Sequence, residues 1–338
     1  MDKSAAHSYI YAKASGLLGK SFVAERASLL FNVKSLSELW TLIFNTQPPM
    51  LPEVLLAKQI ETDAFKRLIS QYVYFLNQFE KPSEILKLPL RIFDSENLKA
   101  VGAALCMGDK ECPPLEDIGE FSQFNFKAWP DIAKITEGTS FSWYNTVQQI
   151  SEQQKNEYKI DIQSVKNFWK AIHTLNGEDF EIIKKLFCTE YILKNLVWAL
   201  RLKINYQMSK EKIIENLIYV TEGPTKDDPI AGPVFAILDK DLDAWEQWQD
   251  WRYASLLNPH TPGEIWSVDP RYIEENGRIK FTKMALLAFH QKPMSVSSLI
   301  GWFKVKSFEL SCIRTAVESL RLGISRQDAM NTVGIIER

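Results

Sequence analysis

The sequence predicts an all-α protein made of three similar helical domains. Apolar residues recur at three- and four-residue steps over long stretches, as between residues 54 and 79 and between residues 308 and 320. Alternating patterns typical of β-strands are scarce. We therefore expect about 65–70% helix, well above the roughly one third of an ordinary soluble domain.

Capping residues mark where several helices should begin. Ser35 with Glu38, and Ser325 with Asp328, have the spacing of N-terminal capping boxes. Asp94 precedes a helical stretch and is predicted to be an N-cap. These signals place helix starts near residues 35, 94 and 325.

Two proline-containing breaks, at 113–114 and 224–233, divide the chain into thirds. We therefore predict helical domains at 1–112, 113–223 and 224–338. Each third ends with an acidic residue, then a small polar or aliphatic residue, a basic residue, a short loop and a second capped helix. The residues of this pattern are Asp94, Asn97 and Lys99; Glu190, Asn195, Arg201 and Lys203; and Glu309, Cys312 and Arg314. The repeat is weak, but it indicates a triplicated helical unit that could enclose a central opening.

Charge and hydropathy exclude several classes of protein. The 338 residues include 40 basic and 42 acidic side chains, so no overall positive charge favours a nucleic-acid partner. No stretch reaches the roughly 18–20 apolar residues of a membrane helix. Lys13 interrupts the N-terminal apolar residues, so we predict no signal peptide and a cytoplasmic protein.

Cysteine and histidine spacing predicts neither a metal site nor a disulfide framework. The four cysteines form no CxxC pair, and the four histidines are far apart without an HExxH motif. No Ser-His-Asp or Cys-His arrangement can be proposed from spacing. Asp239 and Asp243 share a helix face, which we interpret as acids favoured near a helix N-terminus. We expect no catalytic residue, no cofactor and no metal ligand.

A nucleotide-binding protein is the alternative. Residues 14–21 fit a permissive Walker A pattern, and residues 234–239 resemble a Walker B strand. In that case Lys20 and Ser21 would hold phosphate and magnesium together with Asp239. A P-loop needs a preceding strand inside a parallel sheet, whereas the chain between the two motifs is predicted to be helical.

Three tryptophans recur every third residue in a segment with acidic neighbours. Trp245, Trp248 and Trp251 would cover an arc of about 120° on a helix. Core packing or a contact with another protein chain is the favoured interpretation. Glu246 and Asp250 disfavour a platform for stacking nucleic-acid bases.

Five segments, taken in order, resemble the C-type subunit of the V-type ATPase, whose eukaryotic homologue is the d-type subunit. Residues 9–18 resemble its opening helix, and residues 37–48 resemble the leucine-rich segment that follows. Residues 90–99 resemble a motif with an acid followed by Asn-Leu-Lys, and residues 186–203 and 300–314 resemble its later versions. Lys13 in place of Arg, and Ser311-Cys312 in place of Asn, depart from the family pattern.

The resemblance implies an all-helical funnel of three domains around a pseudo-threefold axis. Such a protein is not an enzyme but a central-rotor adaptor, bound to the cytoplasmic face of the proteolipid ring and to the central stalk subunits. It transmits torque during ATP-driven or ATP-synthesising ion transport. We expect a monomer when isolated, with no direct membrane span; an unrelated helical scaffold is a further alternative.

Four basic residues that recur after the repeat pattern are predicted to bind partner subunits. They are Arg201, Lys203, Arg314 and Arg321. The competing interpretation is that they are solvated or form ion pairs within a domain.

Overall fold

The prediction of an all-α fold is confirmed. The computed structural model describes residues 1–147 and 149–335; 66% of the structure is helical, and no strand occurs in the described part. The α-helices are α1 (Lys3–Leu18), α2 (Leu36–Phe44), α3 (Glu53–Leu76), α4 (Glu84–Met107), α5 (Ile132–Thr136), α6 (Ile150–Ile172), α7 (Gly177–Asn205), α8 (Lys210–Glu215), α9 (Gly232–Leu238), α10 (Trp245–Trp248), α11 (Pro270–Gln291), α12 (Val296–Leu322) and α13 (Arg326–Thr332). Short 3₁₀ helices lie at Ala24–Phe31, Gly119–Phe121, Phe126–Ala128 and Ala254–Leu256.

Six long helices form three hairpins, α3–α4, α6–α7 and α11–α12. Short loops at residues 77–83, 173–176 and 292–295 join the two helices of each hairpin. The second helix of each hairpin packs on the first helix of the next: α4 on α6, α7 on α11, and α12 back on α3. The six helices therefore close into a ring.

Neighbouring hairpins meet with their helices antiparallel. In each pair of helices, higher residue numbers on one helix contact lower numbers on the other. The contacts that establish this are Ser95 with Ser164 and Cys106 with Gln153 for α4–α6, Leu193 with Gly277 and Arg201 with Glu274 for α7–α11, and Trp302 with Phe75 and Arg314 with Phe65 for α12–α3. All three hairpin loops therefore lie at one end of the ring, the loop end. The starts of α3, α6 and α11 and the ends of α4, α7 and α12 lie at the other, the open end.

Helix α12 is the most embedded element of the ring. It packs on α11 and α3, and also on α1, α4 and α7. Trp302 is fully buried there, against Tyr72 and Phe75 of α3. Gly301 allows α11 and α12 to approach closely, because a Cβ at that position would lie 2.7 Å from the Ala285 carbonyl oxygen. One cluster of buried apolar side chains runs through all three hairpins.

Two of the three predicted helix starts are confirmed, and the third is wrong. Ser35 and Ser325 are N-caps, with the Ser35 Oγ accepting from the Glu38 N–H at 3.2 Å and the Ser325 Oγ from the Asp328 N–H at 3.2 Å. Asp94 is not a cap, because α4 starts ten residues earlier in the chain, at Glu84, and continues through an internal proline. Asp94 is instead a buried residue in the middle of that helix.

The tryptophans of residues 245–251 pack as the sequence predicts, although their helix is short. Trp248 and Trp251 are buried against each other, with ring centroids 5.4 Å apart. Trp245 stacks on His260 and contacts Trp266. Helix α10 covers only Trp245–Trp248, so the tryptophans belong to a local cluster and not to one face of a longer helix.

Each hairpin lies inside one of the three predicted domains. The α3–α4 hairpin falls within 1–112, the α6–α7 hairpin within 113–223 and the α11–α12 hairpin within 224–338. The boundaries of these domains, and a pseudo-threefold relation between them, stay predictions.

Candidate interaction surfaces

The asparagines of the first two repeats perform the same structural task. The Asn97 side chain donates from Nδ2 to the Glu116 carbonyl and accepts from the Glu116 N–H, both at 2.8 Å. Asn195 does the same with Ile218, at 2.9 Å in both directions, and donates at 3.2 Å to the Ile230 carbonyl. Each amide therefore satisfies the backbone of the connector that follows its helix. In the third repeat the equivalent residue is Cys312, which is fully buried.

The acidic residues of the repeat are also held by intramolecular partners. Asp94 accepts from the Ser122 hydroxyl at 2.8 Å and the Gln123 N–H at 2.7 Å. Burial nevertheless raises the pKa of Asp94 above its usual value. The sequence therefore located a repeated structural anchor, which by itself is not a chemical site.

Glu190 of the second repeat is set up differently. Burial alone would raise its pKa, but the ammonium groups of Lys194 and Lys304 outweigh that effect and lower the pKa to about 2. The Lys304 ion pair, at 2.7 Å, joins α12 to α7 across the ring. Glu190 is therefore a charged tie between the second and third hairpins.

Basic residues of the repeat reach from one hairpin to the next. Lys99 of α4 pairs with Asp161 of α6 at 2.5 Å, and Arg201 of α7 pairs with Glu274 of α11 at 2.6 Å. Arg314 of α12 lies 6.0 Å from the centre of the Phe65 ring on α3. All three interfaces of the ring therefore carry a cation from the second helix of one hairpin.

The four residues predicted to bind partners lie on two helices, and each has a partner within the chain. Arg201 and Lys203 lie on the last part of α7, and Lys203 Nζ donates to the carbonyls of Leu238 at 2.9 Å and Lys240 at 2.6 Å. Arg314 and Arg321 lie on α12, and Arg321 pairs with the neighbouring Glu318 at 2.7 Å. Each of the four therefore has an intramolecular contact, while Arg314 and Arg321 are also solvent-exposed. Their role in partner binding stays a prediction.

The Walker-like segment has the wrong local structure for a P-loop. Gly19 is the C-cap of α1, so Lys20 and Ser21 follow the end of a helix and do not precede one. The Ser21 hydroxyl donates to the Leu17 carbonyl at 3.0 Å and accepts from Lys306 at 2.8 Å. A helix C-terminus presents carbonyl oxygens and lacks the free backbone N–H groups with which a P-loop holds the phosphates of a nucleotide.

Asp239 does not complete a nucleotide site. It caps the end of α9 and pairs with Lys210 at 2.5 Å. Within residues 1–147 and 149–335, no group of three or more histidine, cysteine or acidic side chains could hold a metal ion. The Lys20 and Asp239 alternative is therefore not favoured.

The open end of the ring exposes a concentration of large apolar side chains. The side chains concerned lie within a few residues of the helix ends that meet there, and Val54 and Leu55 are 65% and 51% exposed. They are Met50, Leu51, Val54, Leu55, Met107, Val147, Ile150, Tyr206, Tyr272, Leu322 and Ile324. The loop end exposes fewer large apolar side chains, among them Met1, Tyr74 and Met294. Concentrated exposed apolar residues are typical of a binding surface.

Comparison with known proteins agrees with this architecture. The family model described as the ATP synthase (C/AC39) subunit matches residues 10–332. An uncharacterized protein of Treponema pallidum (strain Nichols) is 25% identical over 334 residues, covering 96% of this chain and 96% of its own length. In the described part of the chain, no helix is long and apolar enough to cross a membrane. The chain therefore belongs to the ATP synthase (C/AC39) subunit family, which confirms the resemblance to the C-type subunit of the V-type ATPase.

Proposed function

We propose that this protein is the non-catalytic rotor adaptor of a V-type ATPase and couples the central stalk to the proteolipid ring. The match to the C/AC39 family over residues 10–332 carries the proposal. In this role the protein transmits torque between ATP chemistry on other subunits and ion transport through the membrane. It lies at the cytoplasmic face of the membrane as a peripheral subunit.

The two chemically different ends of the helical ring support an adaptor role. The open end combines exposed apolar residues with long connectors, at residues 108–149 and 206–269. The loop end has three short loops. A protein that joins two different partners needs two different surfaces and has no need for a self-contact. We therefore propose that the isolated chain is a monomer and enters the complex as one copy.

A funnel of three domains around a pseudo-threefold axis is part of the proposal. Its support is the cyclic order of helix contacts, in which each second helix packs on the next first helix. The matching hydrogen bonds of Asn97 and Asn195 add to it. Superposition of the three hairpins tests this arrangement directly.

The adaptor proposal is tested by measuring binding to purified stalk subunits and to the purified proteolipid ring. We expect Val54→Asp/Leu55→Asp, at the open end, to lose one partner and keep the other. Leu287→Asp is the matched counterpart, because it is similarly exposed, at 60%, but lies near the loop end of α11; it should keep the partner that the open-end variant loses. Full retention of both partners by the open-end variant, or absence of binding to either partner by the parent chain, would contradict the proposal.

A separate charge swap tests Arg201 as a partner-binding residue. Arg201→Glu alone would break the ion pair with Glu274, so any loss of binding would be ambiguous. Arg201→Glu/Glu274→Arg restores the pair with its direction reversed. If Arg201 binds the stalk, both variants weaken the complex, and more at low salt than at high salt. Recovery of binding in the swapped variant would show that Arg201 acts within the ring.

A further inference from the structure

A cleft of about 330 Å³ lies between the end of α1, α2, α3 and α12. Its charged lining residues are Lys20, Arg26, Arg67, Lys306 and Glu309, and we call it the basic cleft. Four cations and one carboxylate line a concave site, and such a site concentrates positive potential. Its volume is in the range of pockets that hold small molecules.

One wall of the basic cleft is formed by the ion pair of Lys306 with Glu309, which carries no net charge. Lys306 Nζ donates to the Glu309 carboxylate and, at 2.8 Å, to the Ser21 hydroxyl. The other Glu309 oxygen accepts from the Phe22 N–H at 2.6 Å. Lys306 and Glu309 are both buried. The pair therefore fixes the chain after α1 on α12, and the net positive charge of the cleft comes from Lys20, Arg26 and Arg67.

The two arginines are positioned before any ligand binds. Each guanidinium donates to one backbone carbonyl and lies over one phenyl ring. The partners are Ser21 (3.3 Å) and Phe22 (5.7 Å) for Arg26, and Ile43 (3.0 Å) and Phe44 (4.8 Å) for Arg67. A guanidinium has five N–H donors, so most donors of both groups are left for an oxyanion.

Gln71 adds a hydrogen-bond acceptor to the cations that line the cleft. It lines the same cleft from α3, and its Oε1 is buried without a hydrogen-bond partner among the described residues. A buried acceptor of this kind is unfavourable unless a donor satisfies it. A ligand that brings both negative oxygens and a hydroxyl donor therefore matches the cations and this acceptor together.

We propose that the basic cleft binds a small phosphate monoester that carries a free hydroxyl group. The phosphoryl oxygens accept from Lys20, Arg26 and Arg67, and the hydroxyl donates to Gln71 Oε1. Sulfate and simple carboxylates at neutral pH offer acceptors only, so they leave the Gln71 oxygen unpaired. The inference is independent of the rotor role, since the cleft lies within one chain.

Calorimetric titration of the full-length chain tests the proposal without stalk or ring. The probes are glycerol 3-phosphate, inorganic phosphate and sulfate, at low ionic strength and pH 7.5. We expect the affinity to fall from glycerol 3-phosphate to inorganic phosphate to sulfate. Arg26→Gln/Arg67→Gln should weaken glycerol 3-phosphate binding by about tenfold or more, as expected for lost charge-assisted hydrogen bonds.

Three further variants separate the parts of the site. Lys20→Gln changes an exposed side chain and should weaken both phosphate probes. Gln71→Met should weaken glycerol 3-phosphate and leave sulfate unchanged. Lys283→Met, an exposed lysine of α11 outside the cleft, is the control and should change nothing.

Several results would overturn the proposal. One is absence of saturable phosphate binding by the parent chain, and another is binding as tight as that of the parent chain by both Arg26→Gln/Arg67→Gln and Lys20→Gln. Sulfate binding as tight as glycerol 3-phosphate would overturn the assignment of ligand class. If ligand binding fails while the chain still binds stalk and ring, the inference is wrong and the rotor role stands.

Discussion

The first two hairpins anchor the chain that follows them through an asparagine side chain. The third instead holds α13 by packing and through Arg278 of α11, which donates to the Thr332 carbonyl at 3.2 Å. Asn97 and Asn195 each hydrogen-bond the backbone of a connector, near residues 116 and 218. Those connectors run from 108 to 149 and from 206 to 269 before the next hairpin begins. In the third hairpin Cys312 occupies the equivalent position, and the described chain after α12 forms α13.

The third hairpin differs in its packing as well. Helices α11 and α12 pack along their length, while α3 and α4 make few contacts with each other. Gly301 explains the closeness, since a Cβ there would meet the backbone of α11 at 2.7 Å and 2.8 Å. Gly102 of α4 faces a side chain instead, the Tyr144 hydroxyl. The same repeat is therefore stabilised in two copies by an asparagine that hydrogen-bonds the following connector, and in the third copy by close packing of its two helices.

The largest expected effect is at the closely packed hairpin. Gly301→Ala should lower the free energy of unfolding by about 3 kcal/mol, because the added methyl group cannot avoid the backbone of α11. The control is Gly16→Ala on α1, where a Cβ meets nothing within 4 Å. That substitution should stabilise the protein by about 0.5–1 kcal/mol through helix propensity. Chemical denaturation measures both, and equal effects would contradict the packing difference.

The next two substitutions remove the asparagine anchor from the second repeat and introduce an asparagine into the third. Asn195→Ala should cost about 2 kcal/mol, since it leaves backbone groups of Ile218 and Ile230 unpaired. Cys312→Asn should also destabilise, by about 1–3 kcal/mol, because it places an amide inside the buried apolar cluster that contains Cys312. Cys312→Ala is the control for the loss of the thiol alone. A neutral or stabilising Cys312→Asn would show that the third repeat retains an anchor site.

The last effect depends on pH and concerns the ion pairs of Glu190 between the second and third hairpins. The pKa of Glu190 falls from 4.5 to about 2 on folding, so its ionised form favours the folded state. This contribution is complete above pH 4.5 and disappears as the pH falls toward 2. Glu190→Gln should therefore destabilise the protein at pH 7 and have almost no effect near pH 2. A cost that does not change over this range would rule out the Lys194 and Lys304 explanation.

Local signals in the sequence predicted the helical class and several details. Hydrophobic periodicity gave the long helices, and the caps at Ser35 and Ser325 depend only on neighbouring residues. The expectation that Asp94 caps a helix is wrong because α4 begins before Pro89 and continues through this internal proline. Burial and its partners in another segment, Ser122 and Gln123, decide what Asp94 does.

The basic cleft could not be predicted, because its residues come from four separate parts of the chain. In the sequence, Lys20 belongs only to a nucleotide-like motif, and Arg26, Arg67 and Lys306 have no shared pattern. The ion pair of Arg201 with Glu274 could not be predicted either, since it depends on which helices become neighbours. The pair of Arg321 with Glu318, in contrast, lies within α12 at the spacing of neighbouring helix turns. Hydrophobic periodicity predicts individual helices, but contacts between helices that are distant in the sequence determine which side chains line a cleft or an interaction surface.

Removal of this protein from its native membranes tests the rotor role most directly. ATP hydrolysis and ATP-driven ion transport are measured in the same membranes, with and without the protein and after it is added back. If the protein is the rotor adaptor, ion transport stops while residual ATP hydrolysis continues, and stalk subunits no longer co-purify with the proteolipid ring. Adding the protein back restores ion transport and the co-purification of stalk and ring. Ion transport at an unchanged rate without the protein, with stalk and ring still joined, would contradict the account.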